Sequence, residues 1–263
     1  MWKTTNSSNG AYQDVGQGPA IVLIHGFLEN SSVWDNQRDA LSTNFRLIIP
    51  DLPGTGKSKL TEGLTISAMA DYVYSILLAE NIKEAVIIGH SMGGYVAMAL
   101  LNNHPEVIKG LGLFHSTAAA DTEEKKETRR KSVAFVEQHG VELFTRQTIP
   151  NLFSPVTRNS QPKLIEAGVN MCAKCPAESM IAYTNAMINR PDLTGLLSSM
   201  TAPMLFVMGK DDMLVPPATV LQQVLLPKTT SVYIFEEVGH IGMWEKIEAS
   251  NFLLNQFVSF CQL

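Results

Sequence analysis

Charge, cysteine and long apolar runs are all scarce in this chain. Asp, Glu, Lys and Arg make up 17% of its 263 residues, and the formal net charge is -5. A nucleic-acid surface needs a concentrated basic face, so this mild acidic balance argues against one. Three cysteines, an odd number, do not make a disulfide framework, and a reducing, cytoplasmic setting is expected. No apolar stretch reaches the roughly 18 residues of a membrane helix. The first ten residues, MWKTTNSSNG, hold no apolar run of signal-peptide length. Internal repeats and low-complexity tracts are absent as well. Cys172-Ala173-Lys174-Cys175 is a lone C-x-x-C with no second pair or histidine cluster nearby, so neither zinc nor redox chemistry is expected there.

What the chain has is apolar content, 45%, enough for a proper core. It is organised in two alternating kinds of segment. The first is short, apolar and β-branched: Ala20–His25, Arg46–Pro50, Ala85–His90, Gly110–Phe114, Pro203–Gly209 and Ser231–Phe235. Several are apolar on successive positions, as strands buried on both faces must be. The second kind has helical spacing: Ile66–Glu80, Tyr95–Asn103 and Glu245–Phe260. Such alternation predicts an α/β fold with a mostly parallel open sheet and helices on both faces. Residues 121–200 break the alternation. They hold no convincing strand, open on the charge run Glu123–Lys131 and continue as apparent helices punctuated by five prolines. They read as a helical insertion, with the charge run as a solvated face.

Chemistry concentrates at Gly89-His90-Ser91-Met92-Gly93-Gly94. This G-x-S-x-G follows an apolar strand and opens a helix, the context in which the motif builds a nucleophile. A sharp turn there forces the serine into an unfavourable backbone conformation, and flanking side chains would collide, so glycine is required on both sides. The serine hydroxyl then sits at a helix N-terminus, where free N–H groups favour negative charge.

Serine needs a base. Of six histidines, His240 lies after the last strand and before the final helix, where loops converge on the crevice of an open sheet. His90, next to the serine, should point away across the turn. His104 and His139 suit surface roles. His115 ends a strand and suits packing or pocket lining equally. The base needs an acidic partner, and Asp211 or Asp212, after the strand 203–209, could supply it; pattern alone leaves both open. Gly54-Thr55-Gly56-Lys57-Ser58 imitates a phosphate loop, but the Walker pattern would need glycine where Asp51 stands.

These pieces jointly resemble the α/β-hydrolase superfamily, in its capped, carboxylesterase-like branch. The matching segments are His25-Gly26-Phe27, Asp51 to Ser58, Gly89 to Gly94, Gly209 to Pro216 and Gly239-His240, in the order nucleophile, acid, base. The resemblance implies Ser91 as nucleophile and His240 as base. Its G-x-x-D-x-x-x-P pattern falls on Gly209, Asp212 and Pro216 and so selects Asp212 as the acid. It implies an oxyanion hole made by the backbone N–H groups of Phe27 and Met92. It makes residues 1–120 and 201–263 the core and 121–200 a cap inserted before the last two strands. Serine at the nucleophile position argues against branches that use aspartate there. The expected activity is hydrolysis of a small carboxylic ester through an acyl-enzyme, with no metal or organic cofactor. C–C bond hydrolysis, enol-lactone hydrolysis and thioester hydrolysis share the same residues. A hydrolase-like small-molecule receptor is the alternative of another class. The expected partner is a small molecule, with no membrane span; the oligomeric state stays open.

Overall fold

The computed structural model describes residues 1–5 and 10–263. Residues 6–9, assigned to the core by the sequence reading, lie outside them. Eight strands form one sheet: β1 (Trp2–Thr4), β2 (Ala11–Val15), β3 (Ala20–Ile24), β4 (Arg46–Asp51), β5 (Ala85–His90), β6 (Ile108–Phe114), β7 (Met204–Gly209) and β8 (Thr230–Phe235). Their spatial order is β1-β2-β4-β3-β5-β6-β7-β8. β1 and β2 pair antiparallel at one edge, and β2 runs antiparallel to β4. All pairings from β4 onward are parallel.

Among the described residues eleven α-helices accompany the sheet: α1 (Asp35–Leu41), α2 (Ile66–Ala79), α3 (Met92–Asn103), α4 (Glu123–Thr148), α5 (Pro155–Ser160), α6 (Pro162–Cys172), α7 (Ala177–Ile188), α8 (Leu196–Ser199), α9 (Pro217–Val224), α10 (Gly242–Glu245) and α11 (Ile247–Phe260). The strand period of two explains the layering. Val22 and Ile24 of β3, Ile87 of β5 and Phe206 of β7 pack with Val73 of α2 and Val96 of α3. Their neighbours Ile21, Leu23, Ile88 and Val207 pack on the other face with Leu41 of α1 and Leu254 of α11. A parallel sheet covered on both faces must be apolar on every position, which is the pattern the central strands carry. Among the described residues no helix is long and apolar enough to cross a membrane.

Between β6 and β7 the chain is helical throughout, from α4 to α8. Thr122 caps α4 by accepting the Lys125 N–H at 3.3 Å, and Glu123 and Glu124 sit in the first turn, where the helix dipole favours them. α4 bends at Gly140, whose φ of 82° breaks the helical run. The charge run is solvated, as expected, except that Arg129 turns inward. Arg129 and the buried Arg190 both pair with Asp121, at 2.6 and 3.0 Å, so one carboxylate ties the beginning of the helical segment to its end. The Asp51–Ser58 segment is a turn wrapped around Asp51, whose carboxylate accepts the N–H groups of Ser31 and Lys57. No helix starts at Lys57, so the segment is not a phosphate loop.

A charged network closes the antiparallel edge. Asp14 accepts from Arg46 at 2.9 Å and Lys3 at 2.6 Å, and Glu80 accepts from Lys3 and Arg46. Hydrogen bonding from Arg46 and Lys3 outweighs burial and holds the Asp14 carboxyl at about 2, below its ordinary 3.8. Between those values the unfolded chain binds a proton that the folded chain refuses, so stability falls as pH falls through that window. Denaturant unfolding followed over this acid range should show a shallower pH slope in Asp14→Asn than in wild type. An unchanged slope would mean that the network does not set acid stability.

Candidate active site

The turn after β5 has the geometry its glycines foretell. Ser91 has φ 50° and ψ -118°, a conformation that side chains rarely adopt. A Cβ on Gly89 would lie 2.2 Å from the Gly93 carbonyl oxygen, and one on Gly93 would lie 2.4 Å from that of Ile24. Any side chain at either place would push the turn out of the sheet. Ser116, just past β6, donates to the Ser91 carbonyl oxygen at 2.6 Å and anchors the turn from the neighbouring strand.

The Ser91 hydroxyl donates to His240 Nε2 at 2.8 Å, and His240 Nδ1 donates to Asp212 Oδ2 at 2.8 Å. Serine, histidine and aspartate come from the ends of β5, β8 and β7, brought side by side by the parallel sheet. All three are buried; Ser91 is 7% exposed. The Asp212 Oδ1 atom accepts the N–H groups of Leu214 and Val215, both at 2.9 Å. Burial would raise the Asp212 pKa. The charge of His240 and hydrogen bonds from His115 and His240 outweigh it and hold the carboxyl far below its usual range. Of the two candidate acids, Asp212 is therefore the one that meets the histidine. Asp211 is half-buried, and its N–H pairs with the Val238 carbonyl beside the His240 loop.

His115, left open by the sequence, is fully buried with Nδ1 3.1 Å from the same Asp212 Oδ2. Burial is the larger influence and lowers its pKa, so it is a neutral imidazole donating from Nδ1. His115, Asp212 and His240 bring three donor atoms within 4.8 Å, close enough to be read as a metal cluster. The hydrogen bonds account for this proximity: two imidazole N–H groups converge on one carboxylate oxygen. Neither His115 nor Ser116 carries a motif; the approach of β6 to β7 reveals the first and that of β6 to β5 the second.

His25 is buried, with Nδ1 donating to the Gly26 carbonyl at 2.8 Å and Nε2 accepting the Leu52 N–H at 3.0 Å. It shapes the loop after β3, and both its ring nitrogens are engaged there. His139 is exposed, as expected, whereas His104 is half-buried and stacked on Tyr74 at 3.7 Å. Phe27 follows Gly26 in that loop, and Met92 opens α3. Neither backbone N–H donates to a protein acceptor among the described residues.

Residues 19–247 match the family described as the alpha/beta hydrolase fold. This chain belongs to that family. Among curated α/β hydrolases, a pimeloyl-[acyl-carrier protein] methyl ester esterase of Vibrio atlanticus is 30% identical over 256 residues, covering 94% of this chain and 96% of its own length. The enzyme of the same name from Vibrio campbellii is 28% identical over 261 residues, covering 96% and 100%. Among solved α/β hydrolases, a thermophilic esterase from Thermogutta terrifontis superposes with a TM-score of 0.93 at 29% identity, over 100% of this chain and 99% of that one. An enol-lactonase from Burkholderia xenovorans LB400 shares the fold, with a TM-score of 0.90 at 22% identity.

Proposed function

We propose that this esterase-type α/β hydrolase is a serine hydrolase of small carboxylic esters, with Ser91 as nucleophile, His240 as base and Asp212 as the orienting acid. The carrying observation is the unbroken relay from Ser91 Oγ through His240 to Asp212 at a strained strand-to-helix turn. Ser91 Oγ attacks the ester carbonyl while His240 Nε2 takes its proton. The carbonyl oxygen becomes an oxyanion facing the N–H groups of Phe27 and Met92, each worth roughly 3–4 kcal/mol in the transition state. His240 returns the proton to the departing alkoxide, leaving Ser91 acylated. It then takes a proton from a water, which attacks the acyl carbon, and passes that proton to Ser91 Oγ as the bond to the acyl group breaks and the acid leaves.

The reading makes residues 121–200 a cap on a core of residues 1–120 and 201–263. Contacts of that segment with the His240 loop support it. The Leu152 carbonyl accepts the His240 N–H at 2.5 Å, and Glu245 accepts the N–H groups of both Ser154 and Gly239. Ester hydrolysis is supported by the relatives named as esterases.

Under excess substrate, at least one of a series of nitrophenyl esters of increasing acyl length should be turned over many times per chain. EDTA should leave the rate unchanged. Release that stalls near one equivalent would replace this reading with a receptor. Turnover confined to a β-diketone would replace it with C–C bond hydrolysis.

A further inference from the structure

Two buried groups lie between the loops of the site, and the relay uses neither. Glu29 is 4% exposed and His90 wholly buried. His90 Nδ1 lies 3.0 Å from Glu29 Oε2, and His90 Nε2 lies 2.9 Å from the His240 carbonyl oxygen. The same Glu29 oxygen accepts the Gly26 N–H at 2.6 Å. A carbonyl oxygen only accepts, so His90 Nε2 carries a proton. A carboxylate oxygen that already takes an amide N–H also accepts, so Nδ1 carries one too. Both ring nitrogens protonated means an imidazolium.

We infer that Glu29 and His90 form a permanently charged buried pair that positions the Gly26–Phe27 loop and the His240 loop around Ser91. The inference rests on the serine-hydrolase reading and adds two positioning residues to it. The pair reaches three of the loops that build the site. Glu29 holds the Gly26 N–H, in the peptide just before Phe27 N. His90 is the residue before the nucleophile. Its far nitrogen holds the backbone of the base itself, with the two imidazole rings 5.0 Å apart. The fit around Gly26 is tight: a Cβ there would lie 2.9 Å from both Glu29 Oε2 and His90 Nδ1. Trp34 closes the edge of the His90 ring, with centroids 6.4 Å apart.

The surroundings favour the charged form. Burial disfavours charge on each group, yet the attraction and hydrogen bond between them raise the His90 pKa and lower that of Glu29. The titratable groups facing Glu29 are His25 and Cys172, and those facing His90 are His25, His115, His240 and Asp212. His25 and His115 are driven neutral by burial, and burial raises the Cys172 thiol. Among the described residues, neither His25 nor Cys172, the other groups facing Glu29, therefore brings a second positive charge to its carboxylate.

The test begins with nitrogen-detected ring spectra of the wild-type protein through the neutral pH range, with His90→Asn used to assign the His90 signals. The expected result is one imidazole with both ring nitrogens protonated throughout. This readout needs no turnover, so it judges the pair separately from the proposed function. A single protonated ring nitrogen on His90 would overturn the inference. Kinetics with a turned-over ester then test positioning. In Glu29→Gln the amide oxygen can still accept from Gly26 and His90, but without the carboxylate charge the buried ring keeps one proton and loses either that bond or the one to the His240 carbonyl, so kcat should fall on the order of 10- to 100-fold, the scale of a small misplacement of reacting groups. KM should stay within about twofold, because both residues are buried. A folded Glu29→Gln protein with wild-type kcat would overturn the positioning role even with the charged pair present.

Discussion

Ser91→Ala is expected to lower kcat for ester hydrolysis on the order of 10⁴- to 10⁶-fold while leaving the fold intact. The loss is large because among the described residues no other hydroxyl shares His240 Nε2, whose hydrogen bond runs to Ser91 Oγ at 2.8 Å. The fold is spared for a local reason. The Ser91 side chain caps nothing in α3, and the turn is secured by backbone contacts and by Ser116. The positive φ of 50° strains serine and alanine alike, so the substitution adds little new strain. The melting temperature should move by less than about 4 °C, the equivalent of about 1 kcal/mol in a domain of this size. Steady-state kinetics and thermal unfolding on the same preparation check both halves. A variant that keeps substantial activity would remove Ser91 from the chemistry.

Asp212→Asn is expected to be nearly as damaging, about 10⁴-fold in kcat, a scale borrowed from the serine-protease triad in which the same change was made. Here the cause can be followed atom by atom. Asp212 Oδ2 accepts from His240 Nδ1 and His115 Nδ1, while Oδ1 accepts from two loop amides. An asparagine keeps its oxygen for the loop amides and must turn its NH₂ toward the imidazoles. His240 then presents a lone pair at Nδ1 and a proton at Nε2, and it can no longer accept from Ser91. Asp211→Asn should stay within a few-fold of wild type, because the Asp211 side chain makes no hydrogen bond among the described residues and a substitution there should cost no more than about 0.5 kcal/mol. Both variants are to be compared on one ester under one set of conditions. A crippled Asp211→Asn beside an active Asp212→Asn would reverse the assignment of the acid.

The parts of this molecule that were legible in the sequence are those fixed by local pattern. β3 to β7 read clearly because strands buried on both faces must be apolar at nearly every position, and β8, half-exposed at the far edge, because of its β-branched run; the observed ends of all six differ from the expected ones by no more than two residues. β1 and β2 were not foreseen. They lie at an edge, and Ala11–Val15 mixes polar and apolar residues without the run that marks a central strand. α1, with the sequence DNQRDAL, offers no apolar period, since its packing on α11 is settled by a partner over 200 residues away. The expected final helix, Glu245–Phe260, is broken at Lys246, whose φ/ψ of -136° and 65° separates α10 from α11. The helical segment was legible as a unit, although its boundaries at Gln161 and Pro176 were not.

At the site, the serine turn and the spacing around Asp212 were legible because glycine and proline mark backbone shapes that side chains cannot adopt. His115 and Glu29 were not legible. His115 meets Asp212 across 97 residues, and Glu29 meets His90 across 61. Those pairings depend on which strands the sheet places side by side, and no short motif records that. Ser91 and His240 can be read from pattern and Asp212 only through the family resemblance; the groups that hold them in register require the folded chain.

The most direct measurement is stoichiometric labelling with a fluorophosphonate, which phosphorylates an activated serine, followed by peptide mapping. The expected result is one adduct per chain, on Ser91 alone, with ester hydrolysis lost in proportion to labelling. An adduct on another residue, or a fully labelled protein that still hydrolyses the ester, would contradict Ser91 as the nucleophile.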